Sequence, residues 1–369
     1  MKQKEKISVL SFFSGGGFLD MGFEQAGFSV VWTNENNALF ARMHAEGITS
    51  WRKSKGNGVK AEVFNTSSIV EISPNNIIKE AFPNGKPALF GVIGGPPCQD
   101  FSSSGNNKGF RGKNGKLTKT YFNYINSISP DFFVFENVKN LFNNNKHRRR
   151  LELILKTLED RYFIEKKILN SIDFGVPQDR NRLFIVGIKK RSVKPKEFVF
   201  AWPLSYKYKN ALTKYNWPNV HKFQNGTQMP EGIPHELCIG PLMLNKENER
   251  KVPNGIDYFE PYSESFKTVD EGNTHNRSFK RLHRYRYSPT VCYGNNEVHL
   301  HPTLPRRISV REALRIQTVS DKYVLPGDVG LSYKFKMIGN GVPVKLAYRV
   351  ALSIHTYLEK NARIYNEAK

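Results

Sequence analysis

The chain has 369 residues, 39 % of them apolar, and 56 Lys and Arg stand against 33 Asp and Glu for a formal net charge of +23. This suits a globular chain of two domains and excludes a disordered one; no apolar run reaches membrane-spanning length. The basic surplus points to a polyanionic partner, nucleic acid first.

The three cysteines, Cys98, Cys238 and Cys292, show no CxxC spacing, which argues against a disulfide framework or a structural zinc site. The start, MKQKEKISVL, runs into a strand pattern without a signal peptide's long apolar region. A cytoplasmic protein is expected.

The first half alternates strands and helices. ISVLSFF (7–13) is a short apolar run that ends in a Gly-rich turn, and LDMGFEQAG (19–27) is helical up to Gly27. SVVWTNE (29–35), ALFGVIGGPPC (88–98) and DFFVFENV (131–138) read as buried strands. RLELILKTLEDR (150–161) is a helix with Leu151, Ile154, Leu155 and Leu158 on one face; FIEKKILNS (163–171) and RLFIVGIKK (182–190) are further strands. This order predicts an α/β fold around a doubly wound sheet, with ligands beyond the carboxyl ends of the strands. After about Lys190 the periodicity fades and basic residues interleave with aromatics, as in SFKRLHRYRY (278–287). Helical patterns return at VREALRIQ (310–317) and at 344–360, after GNGVP (339–343). The expected domains are 1–192, a smaller loop-rich insertion at 193–324, and a return to the first domain over 325–369.

Chemistry gathers where strands end. FSGGGF (13–18) follows a strand and opens a helix, which lets backbone approach a ligand. Asp20 stands where a dinucleotide fingerprint needs its third Gly, so a nucleoside-type ligand fits better than a pyrophosphate, and a nicotinamide oxidoreductase is disfavoured. Glu35 can accept from ribose hydroxyls. GGPPCQDFS (94–102) sets Cys98 on a rigid Gly/Pro turn, a frame that suits a nucleophile and that a core cysteine does not need. The thiolate is the reactive form, and its activating group must come from elsewhere in the fold. Glu136 in FENV ends an apolar strand, where desolvation would raise its pKa and make it an acid or hydrogen-bond donor. PQDRNR (177–182) alternates so that Gln178, Arg180 and Arg182 face one way, toward a phosphate, an acidic ligand or a base carbonyl.

FSGGGF, GGPPCQDFS, FENV, PQDRNR, REALR (311–315) and GNGVP together resemble, in order, the motif series of the 5-methylcytosine DNA methyltransferases, over about residues 8 to 350. The resemblance implies a Rossmann-like S-adenosylmethionine-dependent domain with an inserted target-recognition domain. It also implies roles. Cys98 would add to carbon 6 of a flipped cytosine, Glu136 would contact ring nitrogen 3 and the exocyclic amine, and Arg182, with Arg180 nearby, would hold the 2-carbonyl. Gln99 and Ser102 would fill the gap in the duplex and grip its backbone. Phe13 would stack on the adenine of S-adenosylmethionine, Gly15, Gly17 and Pro97 would line its pocket, Glu35 would hold the ribose, and Asn340 with Val342 would close the far side. Four positions depart from the pattern: Phe18 replaces a second Gly, Ser68 takes the place of the acid that meets the adenine amine, Asn36 that of the aromatic after the ribose-binding Glu, and the catalytic-loop Arg is replaced near Asn114.

Gln178, Arg281, Arg284 and Arg286 are expected at double-stranded DNA, with phosphates favoured over bases for the 277–287 segment. A monomer is expected, paired in function with a restriction endonuclease and with no membrane association. A transfer-RNA methyltransferase and a catalytically dead DNA-binding subunit are the competing readings. The long insertion opposes the first, and the presence of both Cys98 and Glu136 opposes the second.

Overall fold

The computed structural model describes residues 6–56, 62–97, 99–101, 109–194, 199–203, 207–276, 278–291, 293 and 298–366. Seven strands form one sheet: β1 (Ser8–Phe12), β2 (Ser29–Asn34), β3 (Val63–Asn65), β4 (Phe90–Gly94), β5 (Phe132–Val138), β6 (Tyr162–Asn170) and β7 (Asn181–Lys189), in the order β3-β2-β1-β4-β5-β7-β6. β1 to β5 run parallel, and β7 is antiparallel to both β5 and β6. This is the expected doubly wound sheet, with β7 inserted against the parallel direction.

The central strands are apolar on both faces because helices cover both. In β5, Phe132 and Val134 pack into one core cluster while Phe133 and Phe135 pack into the other. The helices are α1 (Phe18–Gln25), α2 (Ala38–Lys53), α3 (Pro74–Ala81), α4 (Lys113–Ile128), α5 (Asn145–Lys156), α6 (Val310–Ile316), α7 (Leu331–Asn340) and α8 (Val344–Asn361), with single turns elsewhere. α1 and α8 pack so closely that a Cβ on Gly22 would lie 2.4 Å from Ala347 Cβ. α2, absent from the sequence reading, starts where the Asn37 side chain accepts from Phe40 N–H; it buries Phe40, His44, Ile48 and Trp51 at helical spacing. The helix expected over 150–161 begins earlier, at Asn145, because Asn144 caps it by accepting from the Lys146 and His147 N–H groups.

The loop-rich segment is held by small apolar clusters and by buried cations such as Arg281. Among its described residues a two-stranded sheet pairs β8 (Lys280–Arg281) with β9 (His299–Leu300). The domain boundary expected at 324 falls inside packed structure. Ile308, Val310, Leu314, Ile316, Tyr323 and Leu325 share a cluster with Phe18, Met21, Met43 and Met337, so α6 and the turn after it belong physically to the α1–α2–α7 side of the first domain.

Candidate active site

β4, β5 and β7 are neighbours, and the residues singled out at their ends converge. In-register pairing places Arg182 opposite Val138 and Phe184 opposite Glu136. The Arg182 Nε lies 3.1 Å from Glu136 Oε1, with both side chains nearly buried. Burial pushes the Glu136 carboxyl above its ordinary range, and the Arg182 and Arg180 guanidiniums pull it part of the way back. Gly95 makes room for this carboxyl: a Cβ there would stand 2.8 Å from Glu136 Oε2. Asn137 Nδ2 donates to Pro96 O at 3.1 Å and ties the Gly/Pro turn to β5. The turn that leads to position 98 is thus fixed beside a buried, cation-paired carboxyl. Cys98 itself, and Ser102, lie outside the described residues. Pro97 is half-buried and Gln99 exposed. Asp100, missed in the sequence reading, accepts from Gly115 N–H and anchors the start of α4. The acid inside PPCQD could have signalled this.

The second half of the site surrounds the Gly-rich turn. Phe13 (φ 56°) and Gly15 (φ 55°) both take left-handed backbone, and such strain in a Phe marks a constrained position. Nothing stands within 4 Å of where a Gly15 Cβ would lie, so backbone is open to a ligand there. Glu35 closes on this turn. Its Oε2 accepts from Gly15 N–H at 3.1 Å and its Oε1 from Asn37 N–H at 2.9 Å, which leaves lone pairs on both oxygens for ligand hydroxyls. Burial raises the Glu35 carboxyl, against those two backbone hydrogen bonds. The end of α7 approaches from the other side. A Cβ on Gly16 would lie 3.0 Å from Met337, and one on Gly341 would lie 2.3 Å from Phe18. Phe18, where the motif pattern has Gly, therefore fills the space above Gly341. Tyr323 Oη donates to Gly16 O at 2.8 Å. Asn340 is exposed at this rim, whereas Val342 is buried among Leu19, Phe23 and Leu346 and acts from beneath. Ser68 opens a short 3-10 turn (Ile69–Glu71) after β3, next to Ser67, whose carbonyl accepts from Asn34 Nδ2.

Four expectations need correction. Arg180 does not project beside Arg182. It is fully buried and donates to Val291 O (3.0 Å), Gly339 O (2.8 Å) and Gly341 O (2.9 Å), so it clamps the later part of the insertion to the end of α7. Gln178 faces neither solvent nor DNA; its Nε2 donates to Gln317 Oε1 at 3.1 Å and its Oε1 accepts from Val291 N–H. Arg281 is buried under Phe223, 3.6 Å from the ring centroid, and donates to the carbonyls of Phe266, Val269, His301 and Leu304. Burial holds its pKa down at about 10. Arg284 is held by buried Glu271, whose oxygens accept from its Nε and Nη2 at 2.6 to 3.1 Å. Of that arginine set, Arg286 is the half-exposed one without a carboxylate partner among the described residues. A buried guanidinium meets distant carbonyls that no local pattern announces.

Residues 7–356 match the family model described as C-5 cytosine-specific DNA methylase. The chain is 40 % identical to the Type II methyltransferase M.NmeDI of Neisseria meningitidis serogroup C, over 98 % of this chain and 86 % of the relative. It is 28 % identical to the Type II methyltransferase M.FnuDI of Fusobacterium nucleatum, over 98 % of both. The crystal structure of the S. pombe Dnmt2 methyltransferase superposes with a TM-score of 0.61 at 13 % identity, covering 96 % of this chain and 99 % of that one, a likeness of fold.

Proposed function

The chain belongs to the C-5 cytosine-specific DNA methylases, and on that premise we propose that it flips a cytosine out of double-stranded DNA and methylates it through covalent addition of Cys98. Extrusion costs a few kcal/mol and brings the ring to a site that reads its edge. The Cys98 thiolate forms a bond to carbon 6 and drives electrons toward carbon 5. Glu136, whose carboxyl burial raises against the pull of Arg182 and Arg180, faces ring nitrogen 3 and the amine; in its protonated form it donates to nitrogen 3 and accepts from the amine, which neutralises the charge that develops. Arg182 holds the 2-carbonyl and, through its Nε, the Glu136 carboxylate edge. S-adenosylmethionine, when bound, supplies an electrophilic methyl group. After transfer to carbon 5, a base removes the carbon 5 proton, and the thiolate leaves as the 5,6 double bond re-forms. A soft, reversible nucleophile suits this addition and elimination.

The open backbone at Gly15, the Glu35 carboxylate beside it and the Phe13 ring suit S-adenosylmethionine, with Gly17, Pro97, Asn340 and Val342 shaping the pocket. The segment from 193 to about 307 would read the target, with Gln99 and Ser102 entering the duplex and Arg286 at a phosphate. We further read the chain as a monomer that protects DNA from a cognate endonuclease; no described helix is long and apolar enough to cross a membrane. The buried Glu136–Arg182 pair beside the turn before position 98 carries the reading. Its test is transfer of a labelled methyl group from S-adenosylmethionine to duplex DNA, with the product mapped as 5-methylcytosine at one motif. Label entering transfer RNA and not duplex DNA would overturn it.

A further inference from the structure

Directly beneath the Gly-rich turn lies a buried group that the reaction does not use. Asp20 comes from α1, His44 from α2 and Glu62 from the residue before β3; their side chains are 1 %, 1 % and 2 % exposed. Each has one polar atom pinned. Asp20 Oδ1 accepts from Ser11 Oγ at 2.5 Å, His44 Nδ1 lies 3.1 Å from Ser14 Oγ, and Glu62 Oε2 accepts from Arg52 Nη1 at 2.6 Å. The remaining atom of each, Asp20 Oδ2, His44 Nε2 and Glu62 Oε1, is buried with no hydrogen-bond partner. One ligand atom from each of the three residues lies within 4.8 Å of the others.

Buried polar atoms without partners are costly unless something satisfies them. Charge says what kind of occupant fits. The Arg52 guanidinium pairs with Glu24 and Glu62, and Asp20 faces the His44 imidazole. Three carboxyl groups thus share one guanidinium, so a cation suits the spot and an anion does not. Distance adds a second constraint. Asp20 Oδ2 and His44 Nε2 are 3.5 Å apart. Ligands about 2.1 Å from a tetrahedral ion stand about 3.4 Å from one another. The hydroxyls of Ser11 and Ser14 and the guanidinium of Arg52 orient the three ligands from outside, as metal sites require. We propose that Asp20, His44 and Glu62 form a binding site for a divalent first-row transition-metal cation of the zinc class, which takes imidazole and carboxylate ligands together.

Such an ion joins α1, α2 and the approach to β3 under the cofactor turn, and reaches that turn through the His44–Ser14 contact. Its role is structural. The second His/Glu group, His221, Glu271 and His283, is a poorer candidate because Arg284 already engages both Glu271 oxygens.

The experiment is metal analysis of the untagged full chain after equilibration with zinc and removal of the excess. About one zinc per chain is expected, falling below about a tenth in H44Q and in E62Q and unchanged in H283Q. Cobalt in place of zinc should give the strong visible absorption of a tetrahedral site, absent in H44Q. Thermal midpoints of all three variants identify any that fail to fold, and the cobalt spectrum of the native chain stands without them. A native chain that holds less than about a tenth of an equivalent, or whose cobalt spectrum is that of the hydrated ion, would overturn the site and leave a water- or proton-satisfied polar group. Zinc retained in H44Q and E62Q but lost in H283Q would overturn it equally.

Discussion

Arg180 and Arg182 sit two residues apart, yet their substitutions should have opposite signatures. Arg180→Met keeps most of the aliphatic stem but removes donors to Val291 O, Gly339 O and Gly341 O. Each charge-assisted bond contributes about 1.5–3 kcal/mol, and each abandoned carbonyl costs about 1–3. Deleting the cation also removes its own desolvation cost, so the net loss should be about 3–5 kcal/mol, as for a broken buried ion pair. At about 1.3 °C per kcal/mol for a chain of this length, the melting temperature should fall by roughly 4–7 °C. Because Gly339 and Gly341 frame the end of α7 that meets the Gly-rich turn, KM for S-adenosylmethionine should rise, while kcat at saturation, measured below the variant's transition, changes little. Arg182→Met should do the reverse. It should lower kcat by about a hundredfold or more, with a smaller fall in melting temperature, because the Glu136 carboxyl left without its cation can take up a proton. Calorimetry with steady-state methyl transfer separates the two. If Arg180→Met melts within about 2 °C of the native chain and loses its kcat, Arg180 meets substrate and the clamp assignment is wrong.

Other outcomes follow from the same contacts. Burial raises the Glu136 carboxyl above 4.5, so its neutral form stabilises the fold fully below that value and this contribution is lost as pH rises through the folded value. The stability difference between native and Glu136→Gln chains should therefore shift with pH above about 4.5 in favour of Gln, while methylation by the variant drops about a hundredfold or more; urea titrations that keep a constant difference across pH would contradict the raised carboxyl. Arg281→Ala should destabilise the insertion by about 3 kcal/mol or more and leave the salt slope of DNA binding unchanged. Arg286→Ala should reduce that slope by about 0.9; the opposite assignment of the two effects would put Arg281 at the DNA. Gly22→Ala, normally a gain of up to about 1 kcal/mol within a helix, should instead cost about 1–3 by overpacking against Ala347; a stabilised variant would show that α1 and α8 can separate at little cost.

Six of the seven strands were legible as apolar-rich runs, and β1, β2, β4 and β5 close in Gly, Pro or a carboxylate, where the site also lies; β3, three largely exposed residues at the sheet edge, carries no such signal and was missed. Glu35, Glu136 and Arg182 came out together for that reason. α2 had an available signal, an Asn cap and apolar residues at helical spacing, yet its polar exterior hid it. Arg180, Gln178 and Arg281 look like surface cations or polar strand faces because period-two alternation assigns a side but not what covers it. Their partners lie 12 to 161 residues away, in loops and at helix ends. The Asp20–His44–Glu62 group was invisible for the same reason: its members come from three elements and share no spacing.

The central claim is that Cys98 attacks the base with Glu136 and Arg182 beside it. The most direct test is incubation of the chain and S-adenosylmethionine with duplex DNA that carries 5-fluorocytosine at the modified position. Fluorine replaces the proton that must leave, so turnover should halt as a denaturant-stable protein–DNA adduct, mapped by mass spectrometry to Cys98 and absent in Cys98→Ala. No adduct under turnover conditions, or an adduct that persists in Cys98→Ala, would contradict the account.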